Sequence, residues 1–141
     1  MAIRPGLEWL EEAYPHELSG GMKQRVSFIR SMMSPQSLIL LDEPFSALDE
    51  FTRLDMQQWL LSIWEEHKKS ILFVTHNIEE ALFLSDRIIV FSSRPTTIKQ
   101  EFSLPFLRPR DRKILLTEEF LHWKRKIYQS LSGDESEQLS K

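Results

Sequence analysis

The sequence contains no cysteine, which excludes disulfide bonds and thiolate metal sites. It has only four glycines, at positions 6, 20, 21 and 133, and none of them begins a phosphate-binding loop of the form G-x-x-x-x-G-K-[ST]. No apolar run approaches the roughly 18 residues that a membrane-spanning helix needs. The formal net charge of -3 gives no broad basic surface for nucleic acid.

The rest of the composition is typical of a globular chain. Of the 141 residues, 41% are hydrophobic and 28% are charged, which favours a single domain. The absence of cysteine fits the cytoplasm. We expect a soluble chain whose contact with any membrane is made through a partner.

Short apolar runs alternate with segments of helical periodicity. Segments 37–41, 70–76 and 87–92 are predicted strands, the first two buried as in a parallel sheet, with 37–41 covered on both faces. Asp49 and Asn77 are suited to cap the two intervening helices. Strands and helices at this spacing predict βαβ units and an α/β sheet.

The flanking regions are predicted to be helical or peripheral. A short helix is expected around residues 7–13 and a longer one from Gly21 to Met33. Residues 97–106 suggest one or two peripheral antiparallel strands, and 107–112 a solvated turn that includes Arg108, Arg110 and Arg112. A helical stripe then follows, formed by Leu116, Phe120, Trp123, Ile127 and Leu131.

Two adjacent carboxylates, Asp42 and Glu43, follow the first predicted strand. Ligands of parallel sheets bind beyond the carboxyl ends of the strands. One carboxylate there can hold Mg²⁺ while the other orients a water for attack on a phosphoryl group. An acidic pair before a proline is also an ordinary strand-ending turn, so the pair alone leaves both interpretations open.

Two further features point to the same edge of the sheet. His76 ends the second strand and could reach the same site, although a lone histidine is often a cap or a surface residue. Ser19, Gly20 and Gly21 begin a helix, where backbone N–H groups favour an anion and glycine permits its close approach. An ordinary capped helix start is the alternative. Together with Asp42-Glu43, these features indicate phosphate chemistry.

The sequence resembles the nucleotide-binding domain of ABC transporters over about residues 6–131. "LSGGM" (18–22) is similar to the signature motif and "LILLDEP" (38–44) to Walker B with its glutamate. "SALD" (46–49) resembles the D-loop and "VTH" (74–76) the switch-histidine region. Longer stretches such as "FVTHNIEEALFLSDRIIVF" resemble importer ATPases, especially those of the nitrate/sulfonate/taurine branch.

The resemblance implies an α/β fold, a partial RecA-like P-loop NTPase core with a C-terminal helix and a parallel sheet that lacks the P-loop strand. Residues 1–131 would form a partial ABC ATPase domain, followed by a polar tail at 132–141. Its parts would be the end of the helical subdomain (1–36), the core from Walker B to the switch histidine (37–94), and the C-terminal strands and helix (95–131). Because the P-loop strand of such cores lies between the switch-histidine strand and the next one, two open strand edges are expected.

The resemblance also implies a role for each motif residue. Asp42 would coordinate Mg²⁺ through water, Glu43 would be the base that polarises the attacking water, and His76 would contact the γ-phosphate. Ser19, Gly20 and Gly21 would bind the γ-phosphate of an ATP seated on the opposite subunit. The subunit interface would contain Ser46, Ala47, Leu48 and Asp49.

The expected function is that of an ATP-binding and ATP-hydrolysing subunit of an ABC import system for nitrate, sulfonate, taurine or a similar small solute. Its partners would be a second nucleotide-binding subunit, an integral membrane permease and, indirectly, a solute-binding protein, with no nucleic acid. The subunit would be cytoplasmic and peripheral on the inner face of the plasma membrane.

The missing P-loop and Q-loop favour a C-terminal half that is truncated, split or frameshifted and does not hold ATP tightly by itself. A non-catalytic interaction module that donates its signature loop to a complete ATPase partner is the alternative. ABC-type ATPases of DNA repair or chromosome structure are disfavoured, since the chain has neither a sustained heptad pattern nor excess positive charge.

Overall fold

The structure, a computed structural model, describes residues 20–138, while Ser19 and the helix predicted around 7–13 lie outside this range. In chain order the elements are α1 (Gly20–Met33), β1 (Leu38–Asp42), α2 (Glu50–His67), β2 (Ser70–Val74), α3 (Ile78–Leu84), β3 (Arg87–Phe91), β4 (Ile98–Ser103), a short 3-10 helix (Arg112–Leu116) and α4 (Glu118–Gln138). None of the described helices has the length and apolar character that crossing a membrane requires.

The two helices between the strands begin at the predicted caps. The Asp49 carboxylate accepts hydrogen bonds from the Thr52 N–H at 3.0 Å and from the Thr52 hydroxyl at 2.7 Å. The backbone bond from Thr52 is the main cause of the lowered pKa of Asp49. Asn77 Oδ1 accepts from the Glu80 N–H at 3.1 Å. Both helix starts are therefore stabilised by local sequence.

The four strands in the described part of the chain form two separate sheets. β1 and β2 are parallel, with Leu38 opposite Ser70 and Asp42 opposite Val74. β3 pairs with β4 in an antiparallel arrangement. Within residues 20–138, β2 and β3 each pair with one strand, so each has an unpaired edge. The two open edges and the peripheral antiparallel strand are confirmed.

The β1–β2 sheet is packed on one face and open on the other. Ile71 and Phe73 of β2 pack against the hydrophobic core, to which α2 contributes Leu60. On the opposite face Leu40 is 68% exposed, and Leu38, Leu72 and Val74 are exposed as well. The predictions that the first strand is buried on both faces and that the second is a buried strand are therefore wrong, because α2 covers only one side of this sheet.

The core connects α1, α2 and α3 with the loop after β1. Its most fully buried large side chains are Phe45, Phe83, Met32, Met56 and Leu82. The rings of Phe106 and Phe120, whose centroids are 5.8 Å apart, join α4 to this core.

The apolar stripe of α4 is confirmed in part. Phe120 and Ile127 are buried, whereas Leu131 is exposed and Leu116 belongs to the 3-10 helix and is also exposed. The helix continues to Gln138, so it extends into the segment predicted as a polar tail.

The segment predicted as a solvated turn contains a buried arginine. Arg110 is 4% exposed and donates to the Asp86 carboxylate at 3.1 Å. Burial, aided by the positive charge of Arg108, lowers the pKa of Arg110 to about 10. The prediction is wrong for Arg110, because its guanidinium pairs with the backbone carbonyls at the end of α3 and nearby, namely Phe83, Ser85 and Phe106.

Arg110→Lys tests this arrangement against Arg112→Lys. Arg110→Lys should lower the free energy of unfolding by about 2 kcal/mol or more, because an ammonium cannot reach all of these acceptors. Arg112 is exposed and pairs with Asp55, so Arg112→Lys should cost less than about 0.5 kcal/mol. Urea denaturation followed by circular dichroism measures both values, and equal losses would contradict the structural role of Arg110.

Candidate functional site

The carboxyl ends of β1 and β2 bring Glu43 and His76 into contact. The Glu43 N–H donates to the Val74 carbonyl at 2.8 Å, which extends the parallel ladder by one residue. His76 Nδ1 lies 2.9 Å from Glu43 Oε1. Two residues that are 33 positions apart in the chain therefore form a hydrogen-bonded pair at one edge of the sheet.

The Glu43–His76 pair is open to solvent. The side chain of His76 is 81% exposed and that of Glu43 is 35% exposed. The hydrogen bond and the negative charge of Glu43 raise the pKa of His76, with a smaller contribution from Glu80 and an opposing one from Arg53. Because an ionised carboxylate only accepts hydrogen bonds, Nδ1 carries the proton even when the ring is neutral. Nε2 is then the nitrogen with which His76 can meet a ligand.

The backbone of Glu43 is held in an uncommon conformation. Its φ of 47° lies in the left-handed region, which side-chain-bearing residues rarely adopt. The Glu43 carbonyl accepts from Ser46 N at 3.3 Å and from Ser46 Oγ at 3.1 Å. Bonds on both sides of the residue thus maintain the strained turn, which directs the carboxylate towards His76.

The predicted interface loop, Ser46 to Asp49, is a tight turn beside Glu43. Arg53 of α2 donates to the carbonyl of Phe45 at 3.4 Å and to that of Leu48 at 2.8 Å. Ser46, Ala47 and Asp49 are exposed, and Leu48 is half-buried. The sequence reasoning missed Arg53, although its position four residues after the Asp49 cap is where a side chain can return to the loop.

The start of α1 lies close to the start of α2. A Cβ on Gly21 would lie 3.2 Å from Thr52 Cγ2, so the glycine permits close helix packing in addition to any role with phosphate. Gln24 Nε2 donates to the carbonyl of Pro44, the residue after Glu43. Helix α1, which begins at Gly20 and Gly21, thus contacts the loop after Glu43 through Gln24, a residue that the sequence reasoning missed.

Asp42 is the last residue of β1 and is exposed on the open face of the sheet. Residues 20–138 contain no group of three or more histidine, aspartate or glutamate side chains arranged to hold a metal ion. Mg²⁺ commonly uses one or two carboxylates and takes its other ligands from water and substrate phosphates. Asp42 therefore fits a partial magnesium ligand set rather than a complete one.

Comparison with known proteins identifies the family of the chain. Residues 6–46 match the model of the family described as ABC transporter. The chain contains part of an ABC transporter ATP-binding domain. This identification agrees with the order of the motifs and with the position of Glu43 and His76 at the strand ends.

Several curated ABC transporter ATP-binding proteins are similar to the chain. MJ0412 of Methanocaldococcus jannaschii is 46% identical over 129 residues, which are 92% of this chain and 47% of that protein. The aliphatic sulfonates import protein SsuB 1 of Pseudomonas savastanoi pv. phaseolicola is 49% identical over 108 residues, 77% of this chain and 46% of its own length. The formylaminopyrimidine import protein ThiZ of Halalkalibacterium halodurans is 48% identical over 102 residues, which are 72% of this chain and 41% of that protein. The chain spans about half the length of the curated relatives it matches.

Solved ABC cassettes share the fold. The dimeric bacterial ABC transporter cassette MJ0796 gives a TM-score of 0.51 at 32% identity, over 71% of this chain and 42% of that one. The archaeal ribosome recycling factor aABCE1, solved with the ribosomal stalk protein aP1, gives a TM-score of 0.53 at 31% identity, over 69% of this chain and 19% of that one. The predicted α/β ABC ATPase fold is confirmed, and the breadth of these neighbours means that function must be argued from the site.

The raised pKa of His76 predicts a pH-dependent contribution to stability. This contribution is fully present below the ordinary value of 6.5 and is lost as the pH rises through the higher pKa of the folded chain. Glu43→Gln should bring the pKa of His76 back towards 6.5 and remove this dependence. NMR titration of the ring Cε1–H, assigned with His76→Gln, measures the pKa. Glu79→Gln, at an exposed site that pairs with Lys124, is the charge-matched control; an unchanged pKa in Glu43→Gln would contradict the pairing.

The left-handed backbone at Glu43 predicts an unusual order of stabilities. Glu43→Gly should be more stable than Glu43→Ala by about 1 kcal/mol, because both lose the carboxylate but only glycine relieves the strain. In the body of α2 the order should reverse, with Glu65→Gly less stable than Glu65→Ala by about 1 kcal/mol. Chemical denaturation of the four variants gives both differences, and a Glu43→Ala variant at least as stable as Glu43→Gly would show that Glu43 is not strained.

Proposed function

We propose that the chain is the Walker B and signature half of an ATP-hydrolysing subunit of an ABC importer. The observation that carries this proposal is the Glu43–His76 hydrogen bond at the carboxyl edge of the parallel sheet. The start of α1 reaches the same loop through Gln24. The Glu43–His76 contact lies at the carboxyl edge of the parallel sheet, and ligands of such sheets bind at that edge, which supports a role with phosphate.

The pair divides the chemistry between its two side chains. One oxygen of Glu43 accepts the hydrogen bond from His76, and the other remains to orient a water and accept its proton. His76 would use Nε2 to donate to the γ-phosphate when the ring is protonated. Asp42 would hold Mg²⁺, which supplies neutralisation of phosphate charge when bound.

Two copies of the subunit would complete each other's sites. Ser19, Gly20 and Gly21 would bind the γ-phosphate of ATP on the partner subunit. The loop from Ser46 to Asp49 would lie at the same interface, where Ser46, Ala47 and Asp49 are exposed. The dimeric state of the similar cassette MJ0796 supports this assignment.

The remaining half of the cassette would join the two sheets. β2 and β3 have unpaired edges within the described residues, and a cavity of about 420 Å³ is lined by residues of both strands, including Ile71, Phe73 and Arg87. A strand with a phosphate-binding loop, supplied by the half that the relatives possess in addition, would pair with both edges. Its absence from this chain would leave ATP weakly bound.

The transported solute would be a small anion or another small molecule. Two relatives are named for import of aliphatic sulfonates and of formylaminopyrimidine, and sulfonate is the class we favour. Nitrate and taurine are the other solutes that we propose for the importer. The subunit would work on the inner face of the plasma membrane with a permease and, indirectly, a solute-binding protein.

Reconstitution of the two halves tests the proposal. The full chain is combined with the part of the Methanocaldococcus jannaschii relative that it does not match, and Mg²⁺-dependent ATP hydrolysis is measured. We expect turnover from the mixture but not from either part alone. Glu43→Gln should reduce that turnover about 100-fold or more, as for loss of a general base, and Glu79→Gln should leave it unchanged.

The outcome also separates the two functional classes. If Ser19→Arg abolishes turnover while Glu43→Gln leaves it intact, the chain is a non-catalytic module that donates its signature loop. Tight ATP binding by the isolated chain, comparable to that of a complete cassette, would contradict the need for a second half.

A further inference from the structure

A buried polar pair connects α2 with α3. Gln57 is 3% exposed and Glu80 is 4% exposed. Gln57 Nε2 donates to Glu80 Oε1 at 3.0 Å. Burying an amide and a carboxyl group is costly unless they are hydrogen-bonded to each other, so this pair strongly favours one arrangement of the two helices.

Glu80 is also bound to the segment that carries His76. Its backbone N–H donates to Asn77 Oδ1 at 3.1 Å, and Asn77 directly follows His76. The Asn77 N–H in turn donates to Thr75 Oγ1 at 3.0 Å, on the other side of His76. Glu80 is therefore tied through its main chain to residues 75–77 and through its side chain to α2.

The groups that face His76 come from three elements. Glu43 comes from the end of β1 and contacts the ring directly. Glu80 of α3 and Arg53 of α2 act on His76 only through their charges, with opposite signs. Among these groups, Glu43 is the one that contacts the ring directly.

We propose that Glu80, held by Gln57, is a positioning residue that keeps His76 Nδ1 within hydrogen-bonding distance of Glu43. The hydrogen bond between Gln57 and Glu80 seats the first turn of α3 on α2. Asn77 transmits that position to the preceding histidine. The inference rests on the proposed function for the catalytic importance of His76, but the positioning itself is a property of this chain.

The tautomer of His76 reports the positioning directly. A neutral imidazole that faces a carboxylate through Nδ1 must carry its proton there, whereas an unconstrained neutral imidazole prefers the Nε2–H form. ¹⁵N NMR of the full chain without nucleotide, recorded above the pKa of His76, distinguishes the two forms. The His76→Gln variant assigns the resonances.

Four variants separate the hydrogen bond from the charge and from packing. Glu80→Gln keeps an acceptor for Gln57 and removes the charge, so the Nδ1–H form should persist. Gln57→Leu removes the amide that donates to Glu80. The milder Gln57→Asn keeps an amide on a side chain that is one methylene shorter. The Nδ1–H form of His76 should be lost in both variants. Gln57→Leu combined with Glu80→Leu replaces both polar groups and is expected to fold, yet it should also lose the Nδ1–H form. Glu79→Gln, on the same helix, is the matched control and should behave as the parent.

Each result supports or overturns the inference. Retention of the Nδ1–H form in Gln57→Asn and in the folded double variant would show that packing alone positions His76. Loss of that form in Glu80→Gln would show that charge, not the hydrogen bond, is responsible. Because the NMR measurement uses no ATP, failure of the reconstituted ATPase would not change its result. Likewise, loss of the inference would not contradict the proposed ATPase function.

Discussion

The parallel pairing of β1 with β2 is the constraint on which the candidate site depends. The register that sets Asp42 opposite Val74 also lets the Glu43 N–H reach the Val74 carbonyl. A slip by one residue would turn the apolar side chains of the strand to the opposite face and move Glu43 away from His76. The packing of one sheet face and the contact at its carboxyl edge therefore have a common origin.

The loop after β1 is held from several directions. Gln24 of α1 and Arg53 of α2 donate to carbonyls of this loop, and the Val74 carbonyl accepts from its Glu43 N–H. Backbone groups that leave a strand need such partners when they are removed from water. These bonds offset the energetic cost of the strained backbone at Glu43 and fix the direction of its carboxylate.

The same core leaves one face of the β1–β2 sheet open. Parallel sheets are ordinarily covered on both faces, yet Leu38, Leu40, Leu72 and Val74 are exposed here. Within residues 20–138, the outer edges of β2 and β3 are unpaired as well. Elsewhere in the core, the Arg110 guanidinium satisfies the carbonyls of Phe83 and Ser85 at the end of α3.

Sequence alone determined the elements whose causes are local. The caps at Asp49 and Asn77, the strand–helix alternation and the order of the signature and Walker B motifs could be predicted, because each depends on neighbouring residues. Tertiary structure decided the open sheet face, the left-handed turn at Glu43, the burial of Arg110 and the Gln57–Glu80 bond. These features join residues far apart in the chain, 23 positions in the last case, so their energies depend on which helices and strands pack together rather than on local pattern.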